Sequence, residues 1–425
     1  MRVGRSVAVV VTCALLGCMS SAVAQQNGLE ELLVQARALR MQARYDEVIS
    51  LCTSVLGRYP ESAEAYCARG TAYADRHRYE EATADFDRAI ELKPELAAAY
   101  NGRAFAYHRK GDHARAGQDW NKAIELCSEA VEADAEDAEA YFNRGLAYAR
   151  GKSWYDRAIQ DYTKAIEINQ EYALAYLRRA DAWSDKGEYA QAIRDYTKAI
   201  EINPEFVGAY VNRGLSYDDK GDPDRAIEDY DRAIEINPEC PGIYVNRGMA
   251  REDKDDYDGA LRDYDKAIEI DPECKEAYLN RGNVYSHRGD HDRAIEEYAK
   301  ALKIDPRLAP AYLMRGQAYE RKGDRDKAMK DYTQAIEVQP EFFLAYLMRG
   351  SAYAGEGDHE SAMKDFTEAI KLKPDLAMAY ALRARAYFET GEYRKAWEDV
   401  HKAQELGMRL PPEFLRKLSE KMPEP

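Results

Sequence analysis

Tyrosine returns at a fixed interval through most of this chain. Tyr66, Tyr100, Tyr141, Tyr176, Tyr210, Tyr244, Tyr278, Tyr312, Tyr346 and Tyr380 follow one another at thirty-four positions, with two exceptions. A period held over so many copies restricts the fold to an array of similar units, each burying its apolar face against its neighbours. In each unit Gly or Ala lies four positions after the tyrosine (Gly70, Ala104, Gly214) and usually another aromatic seven after it (Tyr73, Tyr107, Tyr217). That spacing places all three on one helical face. A second helix is marked by Ala, an aromatic four positions on and Ala three beyond, as in Ala82, Phe86, Ala89 or Ala226, Tyr230, Ala233. Small residues there let the two helices approach closely.

Lys-Gly-Asp at 110–112, 220–222 and 322–324 is the turn between the helices. Gly suits the left-handed position past a helix end, and Asp caps the helix that follows. Pro223 falls in a first helical turn, where proline is tolerated. The second helices are predicted to stop near Pro94, Pro204, Pro238, Pro272, Pro306, Pro340 and Pro374, because proline cannot extend the hydrogen-bond ladder.

The step from Tyr100 to Tyr141 exceeds the period by seven. Those extra residues make about two helical turns, which predicts a longer helix with its apolar face in phase. The step from Tyr141 to Tyr176 exceeds it by one, near ARGKSWYD, where a local bulge is predicted. Arg251 replaces the second aromatic of its unit, and the last unit has Val400 and no closing proline. Residues 411–422 read as a short helix whose Phe414, Leu415 and Leu418 cover the end of the array.

In this order of aromatic, small, aromatic, Ala, aromatic, Ala and Pro the chain resembles the tetratricopeptide repeat family. The likeness covers residues 29–410 in eleven units: 29–62 is the most degenerate, with Leu32, Ala36, Val48, Val55 and Pro60, 97–137 holds the seven-residue insertion and 138–172 the single one. Residues 411–425 form a capping helix and tail. The resemblance implies an all-α fold, a right-handed superhelical solenoid of stacked helix-turn-helix repeats with a concave groove. It further implies a non-catalytic scaffold or adaptor that binds proteins or peptides in that groove.

All ten units from residue 63 onward carry Arg three positions after the tyrosine: Arg69, Arg103, Arg144, Arg179, Arg213, Arg247, Arg281, Arg315, Arg349 and Arg383. The family's usual residue there is a buried Leu. Asp85, Asp119, Asp161, Asp195, Asp229, Asp263, Asp331, Asp365 and Asp399, with Glu297, lie in the second helices, normally sixteen positions after one Arg and eighteen before the next. Each acid can face an Arg of its own unit or of the next, and a bidentate ladder of ion pairs assigns the arginines to the fold.

Asn143, Asn212, Asn246 and Asn280 occur in four units only, and Arg178, Met314, Met348 and Leu382 hold the same slot elsewhere. Stacking therefore does not require the amide. In superhelices of this family the slot faces the groove, so these four are candidate contacts to an extended peptide backbone. Asp185, Asp218, Asp219, Glu252 and Asp253, near the ends of successive first helices, add acid beside Leu215 and Met249. That combination suits a basic peptide with apolar anchors. Leu313, Met314, Leu347, Met348 and Leu382 make a more apolar groove segment.

The chain has 61 basic and 77 acidic residues, a net charge of −16, which argues against nucleic acid or an anionic lipid surface as main partner. Residues 1–24 hold Arg2, Arg5, a short apolar run and Ala22-Val23-Ala24, the pattern of an export signal, which places the mature protein in the periplasm or outside the cell. Leu15-Leu16-Gly17-Cys18 overlaps a lipobox-like pattern; lipidation at Cys18 would anchor the protein to the envelope membrane instead. Of the five later cysteines, Cys52 and Cys67 are the disulfide candidates, because they lie on facing helices of adjacent units. No metal, cofactor or nucleophile motif is found: Gly151-Lys152-Ser153 lacks the spacing of a phosphate-binding loop. Two functional classes remain, an adaptor outside the cytoplasm and a regulatory or substrate-recruiting subunit of an envelope enzyme complex.

Overall fold

A computed structural model describes residues 28–424, and within them every regular element is helical. The export-signal residues and Cys18 lie outside the described residues. The described chain forms two compact units, 28–250 and 251–424.

The first unit runs through α1 (28–41), α2 (Tyr45–Arg58), α3 (Ala63–Asp75), α4 (Tyr79–Leu92), α5 (Ala97–Arg109), α6 (His113–Ala133), α7 (Ala138–Lys152), α8 (Tyr155–Ile168), α9 (Ala173–Asp185), α10 (Tyr189–Ile202), α11 (Val207–Asp219), α12 (Pro223–Ile236) and most of α13 (Pro241–Glu252). The second holds α14 (Tyr257–Ile270), α15 (Lys275–His287), α16 (His291–Ile304), α17 (Ala309–Arg321), α18 (Arg325–Val338), α19 (Phe343–Glu356), α20 (His359–Leu372), α21 (Ala377–Glu389), α22 (Tyr393–Glu405) and α23 (Pro412–Lys421). Each repeat is a hairpin of two helices, and successive hairpins pack side by side within a unit.

The repeat pattern translates directly into the core. Tyr162, Tyr196, Tyr230, Tyr298 and Tyr332 of the second helices are fully buried, as are the alanines on either side of them. The small residue of the facing first helix makes room for the ring: a Cβ on Gly214 would sit 2.7 Å from Tyr230 Cε1. Alanine would favour the helix by about 1 kcal/mol, so the glycine reflects ring packing and not helix propensity. Asp112, Asp222, Asp290, Asp324 and Asp358 each accept a hydrogen bond from the amide three positions on, capping their helices as the turns predict.

The two irregular steps are absorbed differently from each other. Helix α6 has 21 residues where α4 has 14, so the seven-residue insertion lengthens one helix. The single insertion makes no bulge: α7 extends to Lys152 and ends on Ser153 in the left-handed conformation at φ 51. Gly151 is required there, since a Cβ would meet the Trp120 ring at 2.7 Å. At the C-terminus Leu418 is fully buried beside Trp397, Phe414 packs edge-on against Phe388, and Trp397 Nε1 donates to the Met422 carbonyl at 2.9 Å.

One feature of the first unit is absent from the repeat pattern. The α1–α2 turn docks on the ends of α10 and α12, far away in sequence. Asn237 donates to the Gln42 and Ala43 carbonyls at 3.1 and 3.3 Å, Asn203 to Met41 Sδ at 3.0 Å, and Gln42 to Glu205 at 2.8 Å. Ala43 takes φ 56 to present that carbonyl pair. The first repeat of this unit thus touches its fifth and sixth repeats.

Candidate binding surfaces

The arginines of the first helices settle on acids of their own repeats. Arg69–Asp85, Arg103–Asp119, Arg144–Asp161, Arg179–Asp195, Arg213–Asp229, Arg315–Asp331, Arg349–Asp365 and Arg383–Asp399 are all two-pronged, with Nε and Nη2 on the two carboxylate oxygens at 2.6 to 2.8 Å. Arg281 instead puts both nitrogens on one oxygen of Glu297. The third nitrogen usually reaches back to the preceding repeat, for example Arg213 to Thr197 at 2.9 Å and Arg103 to Asp87 at 2.7 Å. Arg247 makes the same backward contact, to Asp231. The sequence signal for that second contact is the Thr, Ser or Asp sixteen positions before the Arg. The ladder is thus both an internal clamp and a staple between neighbours.

Position 251 is the exception to the aromatic pattern, and it has a use. Arg251 donates to Asp263 at 2.7 Å and to the Gly259 carbonyl at 3.3 Å, filling the second aromatic's place with a further ion pair.

A second set of polar contacts satisfies the buried tyrosines. Tyr196 donates to Asp181 at 2.8 Å, Tyr230 to Asp218 at 2.8 Å, Tyr332 to Glu320 at 2.8 Å, Tyr298 to Asn283 at 2.9 Å, and Tyr264 to Glu252. Asp218 and Glu252, expected to face a ligand, are therefore partners of core hydroxyls. Sequence spacing alone hid this, because each hydroxyl finds its acceptor on the other helix of the hairpin, twelve or fifteen positions away. Burial pushes the Glu252 carboxyl above the usual glutamate range, Asp253 adds to the rise, and the Tyr264 hydrogen bond opposes it. Its folded pKa lies above its unfolded value of about 4.3, so the ionised form costs stability at neutral pH, and that cost vanishes as pH falls through the folded and then the unfolded pKa. Glu252→Gln, whose carbonyl still accepts from Tyr264, should raise the melting temperature modestly at pH 7. The gap should close toward pH 4, as melts of both proteins across that range would read.

The four asparagines do not form a uniform exposed row. Asn143 is buried, with its backbone carbonyl accepting from Asn101 at 2.8 Å, and Asn101, also buried, carried no sequence signal. Asn212 donates to Asp181 at 2.9 Å, an acid that Tyr196 and Arg178 also engage. Asn246 and Asn280 are half-buried, and Asn280 lies 3.5 Å from the Asn283 amide. Of the four, only Asn212 is shown with its side-chain amide tied to an acid within the first unit. Leu313 and Leu347 are core, while Met314, Met348 and Leu382 keep partial exposure. Cys52 and Cys67 are free thiols in separate apolar clusters, Cys52 among Ala36, Val48 and Ala72 and Cys67 near Phe86. Burial pushes the Cys67 thiol up to about 12, which makes it a poor nucleophile at neutral pH.

What is exposed is a smaller set. In the first unit Leu215 is 42% and Met249 48% exposed, at the same place in successive repeats, and Asp185 and Asp219 are exposed in the last turns of α9 and α11. Asp253, in the second unit, is exposed as well. Among the described residues no group of three or more His, Cys, Asp or Glu is placed to hold a metal ion.

Family models for the tetratricopeptide repeat match residues 95–171, 207–240, 245–309 and 313–377, and a TPR repeat model matches 70–111 and 181–221. No curated protein matches the chain. Among solved structures, the chain is similar to yeast Tom70, at 19% identity over 93% of this chain and 95% of that one, TM-score 0.49. It is similar over a shorter span to MamA, at 33% identity over 38% and 95%, TM-score 0.35. YrrB, described as a TPR protein with an unusual peptide-binding site, shares 29% identity over 43% and 95%, TM-score 0.35.

Proposed function

Since the chain belongs to the tetratricopeptide repeat family, we propose that it is a non-catalytic scaffold that binds a protein or an extended peptide outside the cytoplasm. The observation that carries the reading is the exposed pair Leu215 and Met249 with Asp185 and Asp219 on the same unit. Large apolar side chains left out of an otherwise well-filled core are candidate anchor contacts. Exposed carboxylates on the same unit favour a basic chain, whose on-rate they raise. The ligand that fits is a lysine- or arginine-rich peptide with leucine-sized anchors. Its backbone is not held by the whole asparagine row, because Asn143 is buried and Asn212 is tied to Asp181.

Fluorescence anisotropy with labelled basic peptides bearing apolar residues at varied spacing tests this on the mature chain. Leu215→Ser with Met249→Ser should weaken the best binder about tenfold or more, consistent with about 1–3 kcal/mol for lost anchors. Asp185→Asn with Asp219→Asn should slow association and flatten its salt dependence. Melting temperatures should stay within a few degrees of the parent, since none of these side chains is core. Undiminished affinity in the Leu215 and Met249 variant would remove this surface from the function.

Export is part of the same proposal and rests on residues 1–24. A mature N-terminus at Gln25 is expected by intact mass of the exported protein; a lipid on Cys18 would make it an envelope-anchored lipoprotein. Among the described residues no helix is long and apolar enough to cross a membrane.

A further inference from the structure

The inner side of the first unit holds two adjoining, partly open spaces whose chemistry differs from the acidic exterior. The larger, about 630 Å3, is walled mainly by apolar side chains, among them Met41, Val48, Leu96, Phe142, Leu174 and Ile202. That volume is within the range of small-molecule sites, about 300–1,000 Å3. The smaller, about 160 Å3, contains Arg37, Arg40 and Arg178 with Asp75 and Asn212, and shares Arg37, Arg40, Met41 and Leu174 with its neighbour. Arg150 is close enough to Arg40, Arg178 and Asp75 to feel their charges.

Arg37, Arg40, Arg178 and Asp75 line the smaller space, and Arg150 and Asp181 lie near it. Arg40 pairs with Asp75 at 2.7 Å and Arg178 with Asp181 at 2.8 Å. Arg37 and Arg150 have no carboxylate partner among the described residues, and Arg150 lies over the Phe105 ring at 4.7 Å. Arg37 and Arg150 are both solvent-exposed, whereas Arg40 and Arg178 are half-buried. Like charges held close together are relieved by an anion, and guanidinium groups match carboxylate oxygens two at a time. Of the acids around the larger space, Glu64 is tied to Lys93 at 3.0 Å, and Glu139 and Glu171 are solvent-exposed. They leave the arginine end unneutralised.

We propose that the inner side of the first unit binds an anionic amphiphile, its carboxylate among Arg37, Arg40, Arg150 and Arg178 and its alkyl body in the apolar space. The site is separate from the exposed Leu215 and Met249 surface, so either can fail without the other. The α1–α2 turn forms one wall.

Isothermal titration calorimetry of the mature chain with sodium laurate, below its micelle concentration, tests the assignment against dodecyltrimethylammonium, which has the same tail and the opposite charge. Laurate should bind once per chain and at least tenfold more tightly than the cation. Arg37→Gln with Arg150→Gln should weaken laurate at least tenfold at unchanged melting temperature, because neither arginine leaves a carboxylate behind. Ala68→Phe, which fills the apolar space, should weaken laurate without altering the charge, and it decides the matter if the arginine variant melts early. Absence of laurate binding, equal binding of the two surfactants, or full laurate affinity in the arginine variant would overturn the proposal.

Discussion

Arg315→Ala is expected to destabilise the protein by about 2–4 kcal/mol, read as a lower denaturant midpoint, whereas the double replacement Arg315→Leu with Asp331→Leu is expected to be nearly neutral. The single change leaves Asp331, 5% exposed, without the two hydrogen bonds of 2.8 Å that satisfy it. A buried carboxylate stripped of its partner costs several kcal/mol. The double change removes both desolvated ions and substitutes apolar volume, which in buried pairs is often neutral or better. The same balance is visible elsewhere in the ladder: burial holds Asp229 and Asp399 above the usual aspartate range in spite of Arg213 and Arg383. These pairs fix which helix faces which, and their net stabilisation is small beside the penalty for breaking one. Arg315 is the cleanest site for the test, because Ala299 stands where other repeats supply the Thr, Ser or Asp of the backward contact. A double variant as unstable as the single one would show that the ion pair itself holds the repeat together.

Tyr332→Ala should cost about 3–5 kcal/mol, the range for emptying an aromatic-sized core site. Tyr332→Phe should cost only about 0.5–1.5 kcal/mol, the net worth of one hydrogen bond. The ring is fully buried between α17 and α18 against Gly316, where a Cβ would lie 2.6 Å from its Cε1. Its hydroxyl donates to Glu320 at 2.8 Å. In a repeat array stability is roughly a sum of units and nearest-neighbour interfaces, so the damage should be local first. Amide hydrogen exchange should show protection lost across α17 to α20 before it falls in α3 to α8. A uniform loss would mean that the array unfolds as one cooperative body.

The tyrosine spacing by itself determined the helix hairpins, their small and aromatic facing residues, the aspartate caps and the lengthened α6. These are local properties: side chains three, four and seven apart share a face whatever lies beyond them, and seven added residues keep that face in phase. The Arg and acid rows were legible as partners too, though an acid lying between two arginines left two geometries open, and only the packed hairpin selected the pair within one repeat. The structure alone decided what the remaining polar residues do. Asp218 and Glu252 serve buried tyrosines, and Asn212 serves Asp181, because acceptors are chosen by proximity across helices, which a one-dimensional spacing does not encode. Most of all, the contact of Met41, Gln42 and Ala43 with Asn203, Asn237 and Glu205 joins parts of the chain that lie far apart in sequence. Small rotations between successive hairpins accumulate until the first meets the sixth.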